Sequence, residues 1–153
     1  MEIIAYQSTY QPDFKRLNLE WLEKYNLTEP HDLEILDHPE ETVINTGGCI
    51  FLAMDDEKVI GTAGLWKEND NEYELIKMAV DPDYRGQGIS KILLDTCLKV
   101  AIERKAKTVF LFSNSQLKTA LKLYEKYGFH YVDVTGTPFL TADVKMELSL
   151  SPN

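Results

Sequence analysis

Hydrophobic and polar positions follow different rhythms along the chain, and each rhythm predicts a different part of the fold. The opening EIIAY is a short apolar run with the texture of a strand. After Pro12, the residues Phe14, Leu17, Trp21 and Tyr25 recur at helical spacing and predict a first helix near residues 13–25. PHDLEILDHP, bounded by Pro30 and Pro39, supports at most a short, broken helix. The texture then becomes that of strands. GGCIFLAM and VIGTAGLWK flank the turn DDEK as two strands of a hairpin, and NDNE turns the chain into YELIKMAV, a third strand. Three consecutive strands with short turns predict an antiparallel meander.

A helical period returns from Gly88 to Arg104, where Ile89, Ile92, Leu93, Thr96, Cys97, Val100 and Ala101 share one face. TVFLF is a short, unbroken apolar run, suited to a sheet centre covered on both faces. SNSQLKTALKLYEKYGF predicts a further helix with Ser115 as N-cap and Leu117, Ala120, Leu121 and Tyr124 in phase. Gly128 would end it in a left-handed turn, with Phe129 as the apolar anchor that follows. HYVDV and DVKMELSL supply the last strands. Strand, helices, meander and then strand–helix alternation predict one α/β (α+β) domain over residues 1–153, a mixed sheet with helices on its faces.

Composition narrows the function classes without choosing one. The 153 residues suffice for one domain with a real core. No apolar run is long enough to cross a bilayer, and MEIIAYQSTYQPDF lacks the order of a signal peptide, so a cytoplasmic protein is expected. Sixteen basic against 25 acidic residues give a formal charge of −9, which repels nucleic acid and anionic lipid alike; neither is expected as a partner. Cys49 and Cys97 form no C-x-x-C pair and read as reduced core residues. His31, His38 and His130 have no ligand spacing, so no metal is expected.

The candidate chemistry begins at VDPDYRGQGISKILL. Glycines 86 and 88 stand between a strand and a helix, where free N–H groups and the helix dipole favour an anion. Alone, G-x-G is a weak signal that more often marks a tight strand-to-helix turn. The dinucleotide fingerprint fails because Lys91 holds its third glycine position, and the Walker loop is absent.

The whole string RGQGIS, however, resembles the coenzyme A pyrophosphate loop Q/R-x-x-G-x-G/A of the GNAT N-acetyltransferase superfamily. Arg85, Gly88 and Ser90 fill its marked positions, with Ser90 departing from the usual Gly or Ala. ALKLYEKYGF resembles the superfamily's A-x-x-x-Y-x-x-x-G-F segment through Ala120, Tyr124, Gly128 and Phe129. LNLEWLEKY is similar to a branch acting on small molecules, some of whose members are joined to MarR-type regulators. The resemblance implies a mostly antiparallel sheet of about seven strands with about four helices, acetyl-CoA as co-substrate, and no metal. The partner implied is a small-molecule amine, and a homodimer is compatible with the resemblance.

Site residues follow from the same resemblance. The peptide groups of Met78 and Val80 would bond the pantetheine arm like an added strand. Arg85, Gly86, Gln87, Gly88, Ile89, Ser90 and Lys91 would cradle the pyrophosphate. Asn114 would bond the pantetheine amide, although a turn or cap role suits it equally. Tyr124 would protonate the departing thiolate, while its place on an apolar helix face fits core packing as well.

A base matters in proportion to the acceptor. An amine of pKa ~10.4 is neutral in about one molecule in 2,500 at pH 7, a handicap of roughly 4.6 kcal/mol, against about 1 kcal/mol for an α-amine of pKa ~7.8. Glu74 matches a position where the superfamily often keeps a carboxylate, and Glu72 shares its strand face by period-two spacing. Both also read as solvated residues at a strand end. Asn18 and Trp21 are candidate acceptor contacts. The reading is an N-acetyltransferase acting on a small-molecule primary amine by direct attack in a ternary complex. The alternatives are a non-catalytic acyl-CoA-binding module and a protein-lysine acetyltransferase.

Overall fold

Two prolines set where the first helices begin, because proline fits the first helical turn, whose N–H groups have no intrahelical acceptor. In a computed structural model describing residues 1–135, 137 and 139–150, helix α1 runs Gln11–Lys24 with Pro12 in its first turn. Helix α2, Pro30–Asp37, is a full two turns where the sequence suggested a broken one. Its cap explains the difference: the Glu29 carboxylate accepts from the first-turn backbone, and the Glu29 N–H donates to the Asp32 carboxylate at 2.9 Å. Helix α3 is Ile89–Glu103 and helix α4 Lys118–Lys126.

Seven strands form one sheet: β1 Glu2–Ala5, β2 Cys49–Asp55, β3 Lys58–Lys67, β4 Glu72–Val80, β5 Thr108–Ser113, β6 His130–Val132 and β7 Val144–Ser149. Their order is β1-β2-β3-β4-β5-β7-β6, and every neighbouring pair is antiparallel except β4 with β5. The meander β2-β3-β4 is as expected. So is the cap of α4: Gly128 lies at φ +95°, where a Cβ is penalised, and the Phe129 N–H returns to the Tyr124 carbonyl at 3.0 Å.

Two corrections concern helix details. Ser115 does not cap α4. The helix starts at Lys118, and Ser115 is tied to the Asp143 carboxylate through its N–H at 2.8 Å and its hydroxyl at 2.7 Å. On α3 the buried stripe is Ile89, Leu93, Leu94, Cys97 and Ala101, while Ile92 is 37% exposed. Leu94 lies on the sheet side and Ile92 turns toward water.

The sheet separates two apolar layers. One joins α3 and α4 to the sheet through Leu93, Leu94, Cys97, Leu121, Tyr124 and Phe129. The other joins α1 and α2 to the opposite face through Phe14, Leu17, Leu22, Ile35 and Leu36. Strand β4 passes between them and changes phase partway. Tyr73 and Leu75 belong to the α3 layer and Ile76 to the α1 layer; next, Lys77 bonds Asp32 of α2, and Met78 and Val80 return to the α3 layer. Two successive residues on one face require an extra residue. The register of β3 against β4 shifts between Thr62 and Gly64, and Lys77 takes φ +50°.

Among the described residues, no helix is long and apolar enough to cross a membrane.

Candidate active site

Strands β4 and β5 pair only from Glu72–Thr108 to Glu74–Phe110 and then part, whereas β5 pairs with β7 along its whole length. Their separation opens a cleft of about 820 Å³. Its walls are the free edge of β4, the loop leading into α3, the inner face of α4, and α1 and α2 from the other side. The Asp81 N–H bonds the Ile60 carbonyl of β3 at 2.8 Å. Because peptide groups alternate sides along a strand, those of Val80 and Met78 point away from β3, toward the open edge.

The loop beyond β4 is held by its own side chains. The Asp81 carboxylate accepts from the Asp83 N–H at 2.9 Å, the Tyr84 hydroxyl donates to Asp55 at 2.7 Å, and Arg85 pairs with Glu20 at 3.0 Å. Gly86 and Gly88 lie at φ +80° and +79°, a conformation that disfavours any side chain. A Cβ built on either meets nothing within 4 Å, so the space over the loop is open. The first helical bond of α3 runs from the Ile92 N–H to the Gly88 carbonyl at 3.2 Å, leaving the N–H groups of Ile89, Ser90 and Lys91 without an intrahelical acceptor. Lys91, Lys118, Lys122 and Lys126 also line the cleft. Convergent donors, two Cβ-free positions and four ammonium groups fit a pyrophosphate. An open strand edge fits the amide-bearing arm attached to it.

Most of the expected cofactor contacts are therefore on one wall: Met78, Val80, Arg85, Gly86, Gly88, Ile89, Ser90 and Lys91 line the cleft. Gln87 is exposed and lies outside that lining. Asn114 lines it, with its side chain engaged locally: it donates to the Thr141 carbonyl at 2.8 Å and accepts from the Gln116 N–H at 3.0 Å.

Tyr124 and Glu74 both reach the cleft, from opposite layers. Tyr124 is 7% exposed, its ring 5.7 Å from that of Phe129, and its hydroxyl has no hydrogen-bond partner among the described residues. Burial, with Cys97 nearby, pushes the phenol well above its ordinary value, so it holds its proton until a stronger base is generated beside it. Burial also lifts the Glu74 carboxyl, to about 7, with Lys77 and Lys145 pulling it down and Glu68 adding to the rise. Burial raises the Cys97 thiol as well, and its side chain packs within the α3 layer, which removes it as a nucleophile.

Two expected acceptor contacts lie outside the cleft wall. Asn18 is fully buried and its amide is spent: it donates to the Phe14 carbonyl at 2.9 Å and the Thr62 hydroxyl at 3.0 Å, and accepts from the Trp21 indole at 3.2 Å. Thr62 in turn donates to the Lys77 carbonyl at 2.7 Å, so Asn18 orients Trp21 and braces the bulge. Asn18→Ala strands these partners and should cost about 1–3 kcal/mol, read as a lowered midpoint of denaturation. Glu72 is the first residue of β4, its carboxylate accepting from the Asn69 amide of the preceding turn at 3.1 Å, outside the cleft lining. Trp21 does line the cleft.

The sequence reading missed the rest of that end. His31 of α2 lies between Trp66 of β3, at 6.1 Å, and Phe139, at 4.9 Å. The segment carrying Phe139 is fastened to α2: the Glu29 carboxylate accepts from the Leu140 N–H at 2.8 Å, the Thr141 N–H at 3.0 Å and the Thr141 hydroxyl at 2.6 Å. Lys77 and Asp32 form an ion pair with side chains 6% and 3% exposed.

A family model described as the acetyltransferase (GNAT) family matches residues 12–129. Among curated proteins, N-acetylaspartate synthetase of Xenopus tropicalis is 38% identical over 89 residues, 58% of this chain and 33% of that protein. A probable N-acetyltransferase camello of Xenopus laevis is 34% identical over 109 residues, 70% of this chain and 50% of that protein. The chain thus spans a half or less of the length of these two relatives. Among solved structures, an acetyltransferase of the GNAT family from Staphylococcus aureus Mu50 superposes with a TM-score of 0.90 at 25% identity, covering 98% of this chain and 99% of that one.

Proposed function

Since the chain belongs to the acetyltransferase (GNAT) family, we propose that it transfers an acetyl group from acetyl-CoA to a primary amine of a small molecule, by direct attack with both substrates in the cleft. The observation that carries this reading is the meeting in one cleft of a phosphate-suited loop, an open strand edge, an unspent phenol and a carboxyl near 7. Bound there, acetyl-CoA would supply a thioester activated toward an amine. The loop and the α3 N-terminus would hold its pyrophosphate, and Met78 and Val80 its arm. Glu74 takes a proton from the incoming ammonium, directly or through one water. Tyr124 gives its proton to the sulfur as the carbon–nitrogen bond replaces the carbon–sulfur bond. The products are an amide and a free thiol, with one proton released overall. Calorimetry with acetyl-CoA and thiol release across a panel of amines test the reading. Tight binding with no release from any amine would leave an acyl-CoA-binding module instead.

Glu74 is suited to its role by magnitude. A base near 7 is half ionised at neutral pH, and so can accept a proton there and pass it on. kcat/KM should rise with pH through about 7, and Glu74→Gln should remove that limb and lower the rate about 10²-fold or more. The linkage has the opposite sign for stability. Because the folded-state value lies above the unfolded one of 4.5, the folded protein binds the extra proton between 4.5 and about 7, and stability falls as pH rises through that window. Glu74→Gln should therefore match the parent near pH 4 and exceed it at pH 8 by about 2 kcal/mol in urea titrations, after discounting the fully buried figure for the carboxyl's partial contact with water.

A further inference from the structure

The acceptor end of the cleft has an unusual charge balance. The acidic side chains lining the whole cleft are Asp32 and Glu74 among the described residues, and the basic ones beyond the coenzyme wall are Lys77 and His31, the latter close enough to the Glu29 carboxylate to help lower its pKa. Asp32 and Lys77 are committed to each other in a buried pair. No ammonium remains there to meet a carboxylate on the acceptor. Beyond Glu74 the acceptor wall itself carries no other uncommitted carboxylate among the described residues; Glu68, near enough to raise Glu74, is exposed and lies outside the lining. What the wall does offer is aromatic surface: Trp21, Tyr25, His31, Trp66 and Phe139. Phe139 meets His31 at 68°, edge to face, and the Lys77 ammonium lies 5.3 Å from the Phe139 ring, so two contacts orient that ring. Asn18 orients Trp21 by accepting the hydrogen bond of its indole N–H.

Resting on the acetyltransferase reading, we propose that the acceptor is an aromatic monoamine without a carboxylate, its ring among Trp66, His31 and Phe139 and its amine toward Glu74. Amino acids fail because their carboxylate finds no uncommitted ammonium: Lys77 is paired with Asp32, and the charge of His31 is shared with Glu29. Polyamines fail because their second ammonium finds no free acid. An aromatic amine needs apolar and aromatic surface for its ring and one carboxylate for its nitrogen, and the cleft lining carries both.

The test measures kcat/KM by thiol release with 2-phenylethylamine, phenylalanine, aspartate, spermidine and ethylamine. We expect 2-phenylethylamine to exceed aspartate and spermidine by at least about 10-fold, phenylalanine to fall with them, and the 2-phenylethylamine to ethylamine ratio to drop about 10-fold in Trp66→Ala. Should that variant not fold, Phe139→Leu reads the same ratio with a smaller change of volume. A preference for aspartate, phenylalanine or spermidine would overturn the proposal while leaving the acetyltransferase reading standing. If acetyl-CoA binds and no amine releases thiol, both fall together.

Discussion

Replacing Gly88 with valine should weaken acetyl-CoA binding by at least about 100-fold in calorimetry and leave a folded protein. Two effects add at this one position. At φ +79° a side chain costs roughly 1–2 kcal/mol, more for a β-branched one, so the loop shifts to a more relaxed conformation. The shift carries the donors at the start of α3 away from their common focus, and the added methyls stand over the open space where a phosphate would approach. A domain of this size has about 5–15 kcal/mol of stability, enough to absorb the backbone cost. The loop's own anchors, Tyr84 to Asp55 and Arg85 to Glu20, are untouched. Binding retained within a few-fold would remove this loop from the coenzyme site.

Tyr124→Phe separates chemistry from binding. It removes one oxygen that has no hydrogen-bond partner among the described residues, and it keeps the ring against Phe129. Stability and acetyl-CoA affinity should hold, and kcat should fall about 10²-fold or more. The raised phenol value at first argues against this role, since a phenol of pKa ~10 is already about 1.5 units above an ordinary thiol near 8.5, roughly 2 kcal/mol uphill. The same apolar surroundings that hold the proton on Tyr124 also raise the basicity of a thiolate generated beside it, which narrows that gap. An unchanged kcat would end the assignment. Tyr127, three residues on, provides a control: its hydroxyl is 2.7 Å from the Asp95 carboxylate on α3, away from the cleft lining, and phenylalanine there should leave turnover near the parent value.

The parts of this account that were readable from sequence are those written by local rules. A helical stripe, a glycine pair before a helix and a Gly-Phe terminus each depend on residues within a turn or two. The helix α3 itself and the cap at Gly128 accordingly lie where the spacing put them, while the α3 stripe is rotated slightly, with Leu94 buried and Ile92 turned to water. Helix α2 was underestimated because its cap uses Glu29 with Asp32 rather than the usual serine or threonine. The bulge at Lys77 had no local signal, since a lysine at φ +50° looks like any other strand residue until Asp32 and Thr62 are placed around it. Asn18, on a helix face that reads as partly polar, turned out to be a buried brace. The aromatic end of the cleft was illegible for the same reason: Glu29 and Thr141, which bring Phe139 to His31, stand 112 positions apart.

The direct test of the central claim is to follow isotope-labelled acetyl groups from acetyl-CoA, with the protein and 2-phenylethylamine, by mass spectrometry of the amine, the coenzyme and the intact protein. The account predicts label on the amine nitrogen in step with free thiol, and none on the protein at any time. Label that stays on the coenzyme, or that accumulates on the protein in place of the amine, would contradict it.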